Sequence, residues 1–130
     1  MGSGTGYRCR TCGTRFLAKD GGGFFFDLLH CDRCGRTNSV AHGEMGDAHL
    51  AYVKGLKTPY AIARAEMDRE IQQTYQGEPI GESAYHAAVE GQLAPCACGG
   101  RFTYAAPPRC PHCGSTEERW KPTGEQVLYD

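Results

Sequence analysis

Eight cysteines are the residues of this 130-residue chain whose type and spacing most directly predict chemistry. A tetrahedral ion with sulfur ligands at about 2.3 Å takes two thiolates from one tight turn and two from another. Close pairs of cysteines therefore predict that all eight are ligands at two four-cysteine sites, each with a Zn²⁺ ion; iron is the alternative metal. The pairs are Cys9/Cys12, Cys31/Cys34, Cys96/Cys98 and Cys110/Cys113.

A glycine follows each pair directly, as Gly13, Gly35, Gly99 and Gly114. Glycine adopts a positive φ without steric cost, so we expect each pair to form a tight knuckle whose backbone N–H groups donate to the sulfurs. Four disulfides are the alternative. The opening residues have neither the basic nor the apolar region of a secretory signal, so we expect a cytoplasmic protein with reduced thiols.

Short connections favour metal sites built from pairs that are neighbours in sequence. Residues 13–30 separate the first two pairs and residues 99–109 the last two, whereas residues 35–95 contain no cysteine. Closing a short loop costs less chain entropy than closing a loop of about 80 residues. We therefore predict that the first pair shares a metal with the second, and the third pair with the fourth.

The residues around the first and last pairs resemble rubredoxin-like zinc ribbons, including the small FmdB-type regulatory proteins. Residues 7–16, YRCRTCGTRF, match the Y-x-C-x-x-C-G-x-x-F opening of these ribbons, and residues 110–114, CPHCG, resemble their C-P-x-C-G closing knuckle. The resemblance implies a zinc-finger-like, metal-bound ribbon at each end and leaves out the middle. It also implies a second function, a rubredoxin-like iron centre for electron transfer, from which the C-x-C of the third pair departs.

Alternating apolar residues predict short strands at both ends of the chain. Residues 14–18 and 24–29 are expected to form a hairpin that leads from the first knuckle to the second. Near the other end, residues 101–104 and 117–121 are expected to pair, with Trp120 covering the C-terminal site, and residues 125–130 are expected to add an edge strand or stay loose.

Helical periodicity replaces the alternation in the middle. Thr58-Pro59 is a helix start signal, and the Arg64–Asp68 pair is expected on a different face from the apolar stripe. Shorter helices are predicted at 83–90 and 44–54. The stripe consists of Tyr60, Ala63, Met67, Ile71 and Thr74/Tyr75.

The predicted fold is a small, metal-bound α+β protein in which two zinc ribbons of short antiparallel strands flank a segment of two or three helices. The predicted domains are an N-terminal zinc ribbon at 1–43, a helical segment at 44–95, and a C-terminal zinc ribbon with a tail at 96–130.

The charge distribution bears on the kind of partner. The three predicted domains carry formal charges of +3, −4 and 0. Eight thiolates with two divalent ions take the whole chain from −1 to about −5, which weakens the case for nucleic acid. Five arginines near the first two knuckles keep nucleic-acid or partner contact as an alternative, since Arg suits phosphate. They are Arg8, Arg10, Arg15, Arg33 and Arg36.

Other candidate ligands do not form a motif of known chemistry. His42, Glu44, Asp47 and His49 are close in sequence, but two histidines seven residues apart do not readily reach one ion, so we expect solvated side chains. No nucleophile elbow, phosphate loop or run of apolar residues long enough for a membrane span occurs. The sequence thus predicts a non-enzymatic zinc protein that presents a surface to a macromolecular partner, more readily protein than nucleic acid.

Overall fold

The computed structural model describes residues 2–58 and 61–129. Within these residues the chain forms six strands and three α-helices, in the order β1–β4, α1–α3, β5 and β6. The strands are β1 Gly2–Cys9, β2 Arg15–Asp20, β3 Phe26–Cys31, β4 Thr37–Ala41, β5 Phe102–Thr103 and β6 Trp120–Tyr129. The helices are α1 Asp47–Lys54, α2 Ala65–Thr74 and α3 Glu82–Gln92.

The chain divides into two compact units that do not follow the order of the sequence. The first unit contains residues 2–39 and 94–129, and the second contains residues 40–93. The boundaries of the second unit differ by only a few residues from those of the predicted helical segment, 44–95. The first unit contains residues from both predicted ribbon segments. The α+β class with helices in the middle is therefore as expected.

The first unit is built on two three-stranded sheets, with strand orders β2-β1-β6 and β4-β3-β5. The predicted hairpin of residues 14–18 with 24–29 is wrong, because β2 pairs with β1 while β3 lies in the other sheet. Of the two outcomes predicted for the C-terminal residues, the edge strand is observed: β6 lies at the edge of its sheet and pairs antiparallel with β1 from Tyr129 back to Trp120. The first and last described strands are thus neighbours in one sheet.

Glycines give the central strand β1 an unusual shape. Gly2, Gly4 and Gly6 alternate with Ser3 and Thr5, so one face of the strand has no side chains over most of its length. Residues of β6 occupy that space: a Cβ at position 6 would lie 2.8 Å from the Cβ of Glu125. Gly2 and Gly6 therefore let β6 lie closely against β1.

The second unit packs α1 against α2 and α3 around Met45, Val53, Tyr85 and Val89. The Tyr85 hydroxyl donates to Met45 Sδ at 2.9 Å, and the Tyr85 ring stacks on Tyr52 at 4.4 Å. The predicted helix at 44–54 is interrupted at Gly46, where φ is 58°. Before that glycine the chain forms a single 3-10 turn, His42–Met45.

Helix α2 buries a different face from the one predicted. Met67, in the predicted apolar stripe, is 46% exposed, whereas Arg64 and Asp68 are 3% and 1% exposed. The ion pair therefore takes the inward position, and the methionine faces solvent. The start signal at Thr58-Pro59 and the first stripe residue, Tyr60, include positions 59 and 60, which lie outside the described residues; the first described helical turn is Ile62–Arg64.

Candidate metal centres

Each cysteine pair sits in a knuckle with the same backbone hydrogen bonds. In the first knuckle, Gly13 N–H donates to the carbonyl of Cys9 at 2.8 Å, and Cys9 N–H donates to the carbonyl of Thr14 at 2.9 Å. The other three knuckles repeat both bonds, at distances between 2.8 and 3.0 Å. The glycines after the pairs have φ between 75° and 91°, as predicted from their positions.

The knuckles combine in a nested order rather than in the predicted sequential one. The first pair meets the fourth, and the second meets the third; within each group the sulfur atoms all lie within 4.8 Å of one another. The predicted pairing of neighbours is therefore wrong. We call the groups the outer centre, Cys9, Cys12, Cys110 and Cys113, and the inner centre, Cys31, Cys34, Cys96 and Cys98.

Chain entropy only weakly favours metal sites built from neighbouring pairs, because the entropic cost of closing a loop rises only with the logarithm of its length. Closing the loop between the first and fourth pairs instead of the one between the first and second adds about 1.5 kcal/mol. The antiparallel pairing of β1 with β6 supplies hydrogen bonds along both strands. These bonds, with the packing of Trp120 beside Cys9 and Cys110, outweigh that cost.

The outer centre is set into the aromatic core of the first sheet. Trp120 packs with the rings of Tyr7 and Phe16, at centroid distances of 5.1 and 4.9 Å. The expected cover by Trp120 of the site that contains Cys110 is therefore observed, although Cys9 belongs to that site as well.

Hydroxyl groups contact two sulfurs of the outer centre. Ser115 Oγ lies 3.0 Å from Cys9 Sγ, and Thr14 Oγ1 lies 3.2 Å from Cys12 Sγ. The hydrogen bond from Ser115 is the main cause of a Cys9 pKa of about 5, well below the usual thiol value. Burial, by contrast, raises the pKa of Cys110 to about 11.

Backbone N–H groups serve the inner centre, as the sequence predicted. The N–H groups of Arg33 and Cys34 point at Cys31 Sγ, at 3.4 and 3.5 Å. Burial opposes ionisation of Cys31, but these two donors together with the thiols of Cys98 and Cys34 outweigh it and lower its pKa to about 6. At Cys34 the N–H of Arg36 lowers the pKa, yet burial and the neighbouring thiols together raise it to about 11.

The geometry of both centres fits a tetrahedral ion. Four sulfurs at about 2.3 Å from a metal lie about 3.8 Å from one another. Sulfurs from different knuckles approach to 3.5 and 3.6 Å in the outer centre, and to 3.4 and 3.7 Å in the inner one. Each centre pairs an acidic thiol with a weakly acidic one, as expected where negative charges this close need a cation before all can form. Both groups could therefore hold a metal ion, and the geometry does not distinguish zinc from iron.

The predicted arginines are all exposed, and two of them form part of a row of cations. Arg8 of β1 lies directly opposite Arg15 of β2 on one side and Lys121 of β6 on the other. Residues opposite each other in antiparallel strands project from the same face, and like charges in that position destabilise a sheet. The sequence alone could not reveal this row because Lys121 is far from the arginines along the chain.

The four other candidate ligands separate into two kinds. Glu44 and Asp47 are exposed, as predicted, whereas His42 and His49 are buried, contrary to the prediction. The two histidine rings stack at 4.2 Å between centroids because the Gly46 interruption turns α1 back towards the preceding 3-10 turn.

Arg64 completes this buried group in the second unit. Its Nη1 contacts His42 Nδ1 and lies 3.3 Å from His49 Nε2, while Nη2 lies 3.5 Å from Asp68. A guanidinium only donates hydrogen bonds, so the contacting nitrogens of both histidines act as acceptors. The arrangement ties three segments of the second unit together around one cation.

No helix within residues 2–58 and 61–129 is long and apolar enough to cross a membrane. Comparison with curated proteins and with solved structures gives no match. One family model matches residues 5–119, which includes all eight cysteines and most of both units. Because that match covers well over half of the chain, the protein belongs to the family described as Domain of unknown function (DUF8255).

Proposed function

We propose that this protein is a non-enzymatic zinc protein in which two structural four-cysteine centres hold up a surface for a macromolecular partner, most readily another protein. The observation that carries the proposal is the pair of centres, each with four sulfurs at tetrahedral spacing. Four thiolates leave a zinc ion no open coordination position, so the metal stabilises the fold and does not act on a substrate. The cytoplasm, where thiols stay reduced, suits such sites.

The first experiment is elemental analysis of the purified native protein. We expect one zinc ion for each of the two centres and a colourless protein. Iron in the same sites would give a red protein and would favour electron transfer over the structural role. Turnover of a substrate that depends on His42 or His49 would contradict the non-enzymatic proposal.

Metal removal tests the structural role directly. With a chelator present, we expect amide protection to disappear from both sheets of the first unit, because zinc binding contributes about 10–16 kcal/mol that its small core does not replace. Hydrogen exchange followed by mass spectrometry measures this, with α3 of the cysteine-free second unit as the internal control. Full protection of β1 and β3 without metal would contradict a structural role.

A nucleic-acid partner is the second candidate, supported by the row formed by Arg15, Arg8 and Lys121. Binding through phosphate contacts falls steeply as salt rises. Retention on a nucleic-acid column at low salt, lost in the Arg8→Gln variant, would support this candidate. A lack of retention at low salt would eliminate it.

A further inference from the structure

A cleft of about 430 Å³ lies in the first unit between parts of the chain that are distant in sequence. Its lining comes from residues 16–19 of β2, from the two knuckles of the inner centre, and from the segment that leads into Cys110. We call it the β2 cleft. Its volume lies in the range of ligand-binding pockets in proteins.

The β2 cleft lies along the edge of β2 and not over one face of its sheet. Four consecutive residues of β2, from 16 to 19, line it, whereas a strand face would contribute only every second residue. β2 is the outermost strand of its sheet, and among the described residues it pairs only with β1. An edge strand presents backbone N–H and C=O groups to which another extended chain can bind.

Apart from three cysteines of the inner centre, the ionisable side chains that line the β2 cleft are all cationic. Lys19, Arg36 and Arg109 contribute to it, and no aspartate or glutamate is among the described residues of its lining. When the inner centre holds a divalent ion, the ion and its four thiolates together carry a charge of about −2. The three cations of the lining carry +3, which exceeds that negative charge. The cleft therefore keeps a positive charge beyond what the metal centre requires.

Arg109 is fixed in place by the knuckle beside it. A Cβ at Gly35 would lie 2.5 Å from the backbone nitrogen of Arg109, so these two backbones are in close contact. Arg109 Nη1 donates to the carbonyl of Gly114 at 3.2 Å, and its buried Nε has no hydrogen-bond partner within the described part of the chain. One of the three cations is thus held rigidly at the cleft.

From the edge and the charge together, we propose that the β2 cleft binds an extended acidic segment of a partner protein, which adds to β2 as a further strand. Backbone hydrogen bonds to residues 16–19 would supply affinity, and carboxylates at alternate positions would face Lys19 and Arg36. The inference rests on the proposed function and names the chemistry of the partner.

A nucleic acid fits this cleft less well than a peptide. Single strands are usually held by stacking of bases on exposed aromatic rings. The aromatic side chain of the cleft, Phe16, packs edge-to-face against Trp120 at 4.9 Å and so is committed to the core. A peptide needs no such ring, because the strand edge binds its backbone.

A random decapeptide library displayed on phage is the probe, with the metal-loaded protein as the target. We expect enrichment of sequences with Asp or Glu at alternate positions, and binding of the selected synthetic peptide about tenfold or more weaker to the Lys19→Gln/Arg36→Gln variant. Arg119→Gln, which changes an exposed cation outside both the cleft and the Arg15–Arg8–Lys121 row, is the matched control and should bind as the unaltered protein does. Methylation of alternate backbone nitrogens of the peptide should abolish binding.

Several results would overturn the inference. They are a lack of acidic enrichment, equal binding to the double variant, binding that survives backbone methylation, and preferential binding of a thymidine oligonucleotide to the cleft. Loss of metal from the double variant would show that the cations serve only the inner centre. If a host protein is captured equally by the unaltered protein and the double variant, the proposed function stands and the assignment of the cleft fails.

Discussion

At the scale of single residues, the glycines of the knuckles have the same backbone conformation but different surroundings. Gly13 and Gly35 have φ of 78° and 75°. A Cβ at Gly13 would meet no atom within 4 Å, whereas one at Gly35 would collide with the backbone of Arg109. The first glycine is therefore required by its conformation alone, and the second by conformation and by packing.

Alanine substitution separates these two requirements. We expect Gly13→Ala to cost about 1–2 kcal/mol, the penalty of a left-handed backbone for a residue with a Cβ. Gly35→Ala should cost clearly more, since the knuckle must also move away from Arg109. Denaturant unfolding of the metal-loaded variants measures both, and equal losses of stability would show that the close contact has no energetic weight.

Ser115 provides a second test at the residue scale, because its hydroxyl keeps the pKa of Cys9 near 5. A lowered pKa preserves the thiolate down to a lower pH, so loss of this hydrogen bond lets protons compete with the metal at a higher pH. We expect Ser115→Ala to weaken metal binding at the outer centre about 10- to 100-fold and to move acid release of that metal to higher pH. A Co²⁺-loaded protein followed by absorption during acid titration shows the shift.

The inner centre is the internal control for that titration, since its sulfurs are contacted by backbone N–H groups that the substitution leaves in place. Its metal should leave at an unchanged pH. Identical release curves for the variant and the unaltered protein would contradict a role of Ser115 in holding the thiolate.

At the scale of the elements, α2 shows how an ion pair can take the position expected of apolar residues. Met67 and Ile71 are apolar and four residues apart, a spacing that predicts that they lie on the buried face of the helix. The group of His42 and His49 instead places two ring nitrogens where Arg64 can donate to them, and Asp68 balances the charge. Periodicity reports which residues are apolar, but it does not reveal a polar network assembled from distant segments.

The same ion pair gives a stability prediction for the second unit. Asp68→Asn leaves the buried guanidinium of Arg64 without its carboxylate, which should destabilise the unit by about 3–5 kcal/mol. Glu66→Gln, an exposed change in the same helix, should cost less than about 0.5 kcal/mol. Helical circular dichroism during thermal unfolding measures the difference, and equal melting of the two variants would contradict it.

Strand β1 shows why one element had no signal in the sequence. Its first half alternates glycine with small polar residues, a composition typical of loops, and strands are usually recognised by branched and aromatic residues. Its role depends on β6, whose side chains fill the space beside Gly2 and Gly6. The knuckles were predictable because their hydrogen bonds are local, and the sheet was not because its pairing joins opposite ends of the chain.

At the scale of the whole molecule, the nested centres predict which cysteines lose their metal together when one pair is removed. We expect Cys110→Ala/Cys113→Ala to leave Cys9 and Cys12 reactive towards alkylation, while the inner centre stays protected. Mass spectrometric mapping of the alkylated cysteines, with metal present, measures this. Reactive Cys96 and Cys98 with protected Cys9 and Cys12 would instead support the sequential pairing.

The nesting also has a consequence for synthesis of the chain. Ribosomes release the first and second knuckles well before the third and fourth, so for a time two complete pairs of thiols are available and neither has its final partner. A metal ion captured at that stage would bridge two knuckles that belong to different centres. The inner centre is complete only after residue 98 has emerged, and the outer centre only after residue 113, so an ion held by the first two knuckles together must change ligands before the fold can close.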